Sequence, residues 1–167
     1  MDATRDRTAG PHAPFARPPR RANAFMVPRP LDEQGLHAVD GTWGTIQPIE
    51  LAPGVRTVSE LEVIDHLRRG LPLVDSRREH FHTAGTIPGA VGIPHPDAVA
   101  RIDELDAEVP TVFFCNGPQC SATPSAVRAL LAAGYPARAI LYYRGGMHDW
   151  MTLGLPVETR GGRAGGA

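Results

Sequence analysis

The chain carries two cysteines, and both fall within "VFFCNGPQCSATPSAVRAL", residues 112–130. Cys115 closes an apolar run, and Cys120 follows five residues later, just ahead of a helical pattern. A cysteine between a strand end and a helix start is well placed to act as a nucleophile. A loop that curls there turns backbone N–H groups toward its centre, and the helix dipole adds positive potential. Both effects favour thiolate over thiol. Gly117 permits a tight curl, whereas Pro118 has no N–H to contribute. Two other groups of residues have comparable chemical content: Asp75 with Arg77, and Arg144 with Gly145, Gly146 and His148. Zinc is the competing use of the cysteines, since His80, His82, His95 and His148 would complete a tetrahedral set on paper. The Cys-x4-Cys spacing is not that of a finger or ribbon, so no metal is expected.

The elements around these residues follow from periodicity. "VRTV" from Val55 reads as a short strand. "SELEVIDHLRRG" reads as a helix, with Ser59 and Glu62 as a capping box, Leu61, Ile64 and Leu67 at helical spacing, and Gly70 as the stop. "LPLVD" (71–75) and "AVGIP" (90–94) read as strands, with "DAVARIDEL" (97–105) as a helix. "TVFFC" (111–115) is continuously apolar, as in a strand buried on both faces. The helix after the cysteine loop is expected to start with Thr123 as N-cap and Pro124 at its first position, to bury Val127, Leu130 and Leu131, and to stop at Gly134. "ARAILYY" (137–143) is a last strand and "GGMHDWMTLG" a closing helix. Strand and helix alternate, which predicts an α/β domain with a largely parallel sheet over residues 54–158. In such sheets ligands sit at the carboxyl ends of the strands, where all three groups of residues fall.

Outside that domain, residues 1–30 are rich in Pro and Arg without apolar period and read as a flexible tail. Residues 159–167 read as a Gly-rich tail. Residues 31–53 read as an extended arm, with Trp43, Ile46, Ile49 and Leu51 to pin it on the domain. The 167 residues are 42% hydrophobic and 21% charged, which suits one globular domain with tails. A formal net charge of −1 argues against a nucleic-acid or anionic-membrane coat. All 17 basic residues are Arg, which removes Lys-based Schiff-base and P-loop chemistry. "AFMV" at 24–27 is too short for a signal-peptide core, and no run reaches the length of a membrane span. Two cysteines make no disulfide scaffold, and a reducing cytoplasmic setting is expected.

"LVDSRREHFHTAGTIPGAVGIP", followed by "TVFFCNGPQCSATPSAVRALLAAGYPARAILYYRGGMHDW", resembles the rhodanese-like sulfurtransferases over about Val55 to Val157. The first segment is similar to that family's Asp-x-Arg and Gly-His-Ile-Pro-Gly-Ala element. The second is similar to its strand, cysteine loop, helix and Gly-Gly-x-x-x-Trp run. The resemblance implies a rhodanese-like fold with a central five-stranded parallel sheet flanked by helices. It implies a persulfide on Cys115, and Asp75 and Arg77 as buttresses of the loop. The turn at Ile87, Pro88, Gly89 and Ala90 and the closing Gly145, Gly146 and Trp150 also match. Thr86 stands where the family usually has His, and Cys120 where many members have Arg.

On this reading the amides of Asn116, Gly117, Gln119, Cys120, Ser121 and Ala122 cradle the anionic sulfur. A loop without Arg or Lys offers dianionic thiosulfate only amides and dipole. Arg144, with His148 at the rim, is the candidate to supply charge for an anionic donor. Phosphatases on this fold need Cys-x5-Arg, and the sixth residue after Cys115 is Ser121, so phosphoryl transfer is not expected. For Cys120 two roles stay open. One is a resolving thiol that protects Cys115 or releases its sulfur, the other a space-filling residue. The expected function is movement of sulfane sulfur from a small donor to cyanide, a small thiol or a protein thiol, with no cofactor, nucleic acid or membrane. The competing reading is a non-catalytic or redox-sensing module that uses a Cys115–Cys120 disulfide.

Overall fold

The computed structural model describes residues 29–30, 37–38 and 45–159. The expected tail up to residue 28, Trp43 of the arm and residues 160–167 lie outside them. Arg29–Pro30 (β1) pairs antiparallel with His37–Ala38 (β2). The main sheet has five strands: Arg56–Val58 (β3), Leu73–Asp75 (β4), Val91–Gly92 (β5), Thr111–Phe114 (β6) and Ile140–Tyr143 (β7). Their order is β3-β7-β6-β4-β5, and every pairing is parallel. Helices α1 (Glu60–Arg68), α2 (Glu79–Ala84), α3 (Ala122–Ala132) and α4 (Gly146–Thr152) complete the domain.

Strand alternation divides the core into two layers. Val74, Phe113, Ile140 and Tyr142 pack with Ala126, Val127 and Leu130 of α3. Leu73, Val112, Phe114, Leu141 and Tyr143 pack with Val63 of α1 and with Met147 and Trp150 of α4. The same period of two sends Cys115, two residues after Phe113, toward α3. Register aligns Asp75 with Phe114 and Phe114 with Tyr143. The segments beginning at Ser76, Cys115 and Arg144 therefore leave the sheet side by side. Chain order reverses between β4 and β6, the place where an open α/β sheet leaves a crevice.

Several local expectations are corrected. Glu62 accepts from the Ser59 N–H at 2.9 Å, as a capping box requires, and Ile64 and Leu67 pack on the core beside buried Val63 and His66, but Leu61 is 77% exposed. The helix expected over 97–105 is instead two 3₁₀ turns, His95–Asp97 and Ile102–Glu104, the first with a proline at its start. α2 was not expected, because six residues carry no readable apolar period. α3 begins two residues earlier than expected, at Ala122, with Ser121 rather than Thr123 as its N-cap. Pro124 then falls at the third helical position, still among the N–H groups that a helix leaves unpaired. In the arm, Ile46 and Ile49 are 55% and 66% exposed and pin nothing, whereas Leu51 packs against the α3-side core.

Candidate active site

Asp75 ends β4 with no exposed surface. Its carboxylate accepts from Arg77 Nε at 2.9 Å, from Arg77 Nη2 at 2.6 Å and from the Arg77 backbone N–H at 3.0 Å. Thr86 Oγ1 donates to it at 2.8 Å, and His82 Nδ1 lies 3.2 Å away. Burial alone would raise this carboxyl. The hydrogen bonds from His82 and Arg77 and the charge of Arg77 outweigh it and hold the group at about 2. Arg77, equally buried, spends its remaining N–H groups on the Gly85 carbonyl and, at 3.4 Å, on Asn116 Oδ1 of the cysteine loop. A buried pair with all its oxygens engaged is rigid, and it meets the loop through Asn116.

The other side of the loop rests on the start of α4. Met147 N–H donates to the Cys115 carbonyl at 2.9 Å, and His148 N–H to the Asn116 carbonyl at 2.8 Å. Gly146 has φ +57°, and a Cβ there would lie 2.7 Å from Gly117 N. A Cβ on Gly117 would lie 2.9 Å from His148 Cβ. Two glycines thus let two backbones touch, which fixes the loop against the turn. Trp150 anchors that turn from below, buried and donating from Nε1 to the Pro156 carbonyl at 2.7 Å.

Within the loop, Cys120 N–H donates to the Gly117 carbonyl at 2.9 Å, closing a turn that brings Cys120 back onto Cys115. This N–H is therefore spent and does not belong to the expected cradle. Cys115 Sγ lies 3.6 Å from the Cys120 carbonyl oxygen. The cysteines are 2% and 3% exposed, and with Ala122 they form a small cluster of their own. Both are free thiols.

The two buried thiols influence each other's ionisation. Burial first, and then Cys120, push the Cys115 thiol up, against the hydroxyl and amide of Thr123. Cys120 goes the other way, to about 7. The hydrogen bond from Cys115 lowers it most, against burial, and the amides of Ala122 and Asn116 and the charge of Arg77 add to the effect. The loop potential expected at Cys115 acts on Cys120 as well, through the amides of Asn116 and Ala122 and the Arg77 charge.

Arg144, expected to await an anionic donor, is engaged elsewhere. Its Nε and Nη2 both donate to the Gln47 carbonyl, at 3.0 and 2.9 Å. Gln47 N–H in turn donates to the Pro118 carbonyl at 2.7 Å. The arm thus crosses from the cysteine loop to the β7 end on backbone hydrogen bonds rather than on isoleucine side chains. His148 sits at the rim against Gly117, with Nδ1 2.9 Å from Asp149 Oδ1. Gln119 and Ser121 lie in the same loop, Gln119 with a buried and unpaired side-chain oxygen.

The sequence gives no site role to Thr123 or Tyr142 beside Cys115, to Gln47 on the Pro118 carbonyl, or to His82 on Asp75, which it offers only as a metal candidate. Thr123 flanks Cys115, and its hydroxyl oxygen has no conventional hydrogen-bond partner. Tyr142 is raised by burial and next by the charge of Cys115, so its phenol stays protonated. The register of β6 with β7 is what brings Tyr142 near, and no motif announces it. Among the described residues, no group of three or more His, Cys, Asp or Glu is arranged to hold a metal ion. None of their helices is long and apolar enough to cross a membrane.

A family model, described as the rhodanese-like domain, matches residues 59–153. Among curated proteins, the HTH-type transcriptional regulator Rv0324 of Mycobacterium tuberculosis is 38% identical over 86 residues. That alignment takes in 52% of this chain and 37% of the regulator, so the chain spans little more than a third of that relative. Thiosulfate sulfurtransferase from Pseudomonas aeruginosa superposes with a TM-score of 0.58 at 24% identity, over 71% of this chain and 23% of that one. The rhodanese-like domain of an Anabaena sp protein superposes at 0.54 with 22% identity, over 66% of this chain and 85% of that one. At these identities the two structures establish a shared fold.

Proposed function

From the membership of this chain in the rhodanese-like domain family, we propose that it is a sulfurtransferase in which Cys115 carries sulfane sulfur between a donor and a nucleophilic acceptor. The observation that supports this most is the sulfur pair itself. Cys115 closes the central strand as a buried thiol packed beside Cys120, whose own thiol is held below its ordinary value. Cys120, as thiolate, accepts the Cys115 proton, and the Cys115 thiolate attacks the outer sulfur of the donor. With thiosulfate, the new S–S bond forms as the S–S bond of the donor breaks, and sulfite leaves with the bonding pair. The persulfide is then opened by cyanide or a thiolate, which takes the outer sulfur and returns Cys115 as thiolate. The Thr123 amide and hydroxyl stand beside the reacting sulfur.

The donor is read from charge. Arg144 is occupied by the Gln47 carbonyl, so a sulfonate or carboxylate reaches that guanidinium only by displacing the arm. A neutral or singly charged donor is favoured over thiosulfate on this ground. The test is steady-state sulfur transfer to cyanide from thiosulfate, 3-mercaptopyruvate and a small persulfide, with Cys115→Ser as control. Turnover with at least one donor that vanishes in Cys115→Ser is expected; equal rates in both proteins would overturn the assignment.

A second reading, a regulatory module that binds a partner or senses oxidants, is favoured by the alignment with a transcriptional regulator. It separates from the first on turnover, since it requires none.

A further inference from the structure

The Cys120 thiol is not needed to hold a persulfide, yet the chain devotes its second and last cysteine to the inner wall of the site. Three observations converge on it. The Gly117–Cys120 turn folds this residue back until its carbonyl oxygen is 3.6 Å from Cys115 Sγ. The two thiols lie together in a small buried cluster. The amides of Asn116 and Ala122 and the charge of Arg77 favour the anionic form of Cys120. An anionic sulfur is thus held in contact with the one sulfur that the proposed reaction makes electrophilic.

Resting on the sulfurtransferase reading above, we infer that Cys120 is a resolving nucleophile: it attacks the inner sulfur of a Cys115 persulfide, closes a Cys115–Cys120 disulfide and expels the outer sulfur as hydrosulfide. The step balances without an added oxidant. The Cys120–Cys115 bond forms as the bond from Cys115 to the outer sulfur breaks, and that bonding pair leaves with the outer sulfur. The outer sulfur departs with the persulfide proton or, if the persulfide was anionic, with the thiol proton of Cys120. The sulfane sulfur is reduced to the sulfide level, and the two cysteines supply the two electrons. Two equivalents of a small thiol, or one dithiol, return the pair to the reduced state.

Rate considerations point the same way. A thiol that titrates near ambient pH is the most effective attacker in thiol–disulfide exchange, and Cys120 at about 7 meets that condition. An external thiol must reach a residue that is 2% exposed, whereas Cys120 already packs in the same buried cluster. Neither of the two clefts at the described surface that have Arg78 or Leu61 in their walls is lined by Cys115. Intramolecular attack on a shielded persulfide is the faster route. The product is then sulfide, which makes the domain a sink that converts sulfane sulfur and thiol reducing equivalents to hydrosulfide.

The test is a single turnover of the fully reduced full-length chain, oxygen excluded and no acceptor present, with thiosulfate and with 3-mercaptopyruvate. Released sulfide is trapped and counted, and intact mass is read in parallel on wild type, Cys120→Ser, Cys120→Ala and Cys115→Ser. Wild type is expected to release up to one sulfide per chain and to lose two hydrogens. Both Cys120 variants, loaded to completion at raised pH because the Cys120 base is gone, are expected to gain one sulfur and to release at least about tenfold less sulfide per persulfide formed than wild type at the same pH, and Cys115→Ser to do neither. Wild type that keeps a stable persulfide, or Cys120 variants that release sulfide at its rate, would overturn the resolving role while leaving sulfur transfer standing. Failure of wild type and both Cys120 variants to take up sulfur, with no sulfide from either donor, would instead overturn the sulfurtransferase reading and this inference with it. Two variants guard against misfolding in either one.

Discussion

Replacing Asp75 by Asn leaves Arg77 buried beside a neutral amide and should be the most damaging isosteric change in the domain. Removing one partner of a buried pair costs about 3–5 kcal/mol, because the remaining charge loses its counter-charge but not its burial. An independent measure comes from titration. Asp75 is held at about 2 against an ordinary 3.8, which at about 1.36 kcal/mol per pH unit is roughly 2 kcal/mol. The folded-state value is depressed, so this stabilisation is complete above pH 4 and is lost as pH falls toward 2. Urea denaturation of wild type and Asp75→Asn at several pH values between those limits and neutrality reads both quantities. The gap should be at least about 2 kcal/mol at neutral pH and narrow on acidification. A gap below about 1 kcal/mol, or one constant with pH, would refute the claim that this pair holds the loop.

Four further outcomes follow from the same contacts. Persulfide formation should rise with pH through about 7, the value at which the sulfur pair loses its first proton. In Cys120→Ser its midpoint should move to higher pH, since burial still raises Cys115; a pre-steady-state pH profile checks both. Gly146→Ala places a Cβ 2.7 Å from Gly117 N at φ +57°, and should cost more than about 1 kcal/mol in thermal unfolding. Thr86→Val removes the 2.8 Å donor to Asp75 and should cost about 1–3 kcal/mol by the same urea assay. Arg144→Ala removes both bonds to Gln47, and should speed thermolysin cleavage at Ile46 and Ile49 with little change in melting temperature.

The sheet was legible because its strands are apolar runs that end at chemically distinct residues: Asp75, Cys115 and Tyr143. Parallel register then does what a motif search does, since aligning Asp75, Phe114 and Tyr143 sets three sequence-distant segments beside one another. The Gly-Gly turn was readable as a motif, but its reason, backbone contact between Gly146 and the cysteine loop, belongs to three dimensions. Short pieces were not readable. α2 and the two 3₁₀ turns have too few residues to show a period, and Pro94 and Pro96 break the stretch before 97–105.

Side-chain electrostatics was the least legible layer. Nothing in "CNGPQC" tells that the turn spends the Cys120 N–H on Gly117, or that two loop amides and Arg77 act on the Cys120 thiol. Arg144 was readable as a cation at a strand end, but its partner is a backbone carbonyl nearly a hundred positions away in the chain. Such a pairing follows only from the path of the arm.

The most direct measurement is fragmentation mass spectrometry of the peptide that contains both cysteines, after brief exposure of reduced protein to a sulfur donor. Breaks in the backbone between Cys115 and Cys120 assign any added sulfur to one residue. Sulfur on Cys115 in Cys120→Ser, and on neither residue in Cys115→Ser, is the expected result. Sulfur found first on Cys120, or equally on both, would contradict the assignment of Cys115 as the residue that carries it.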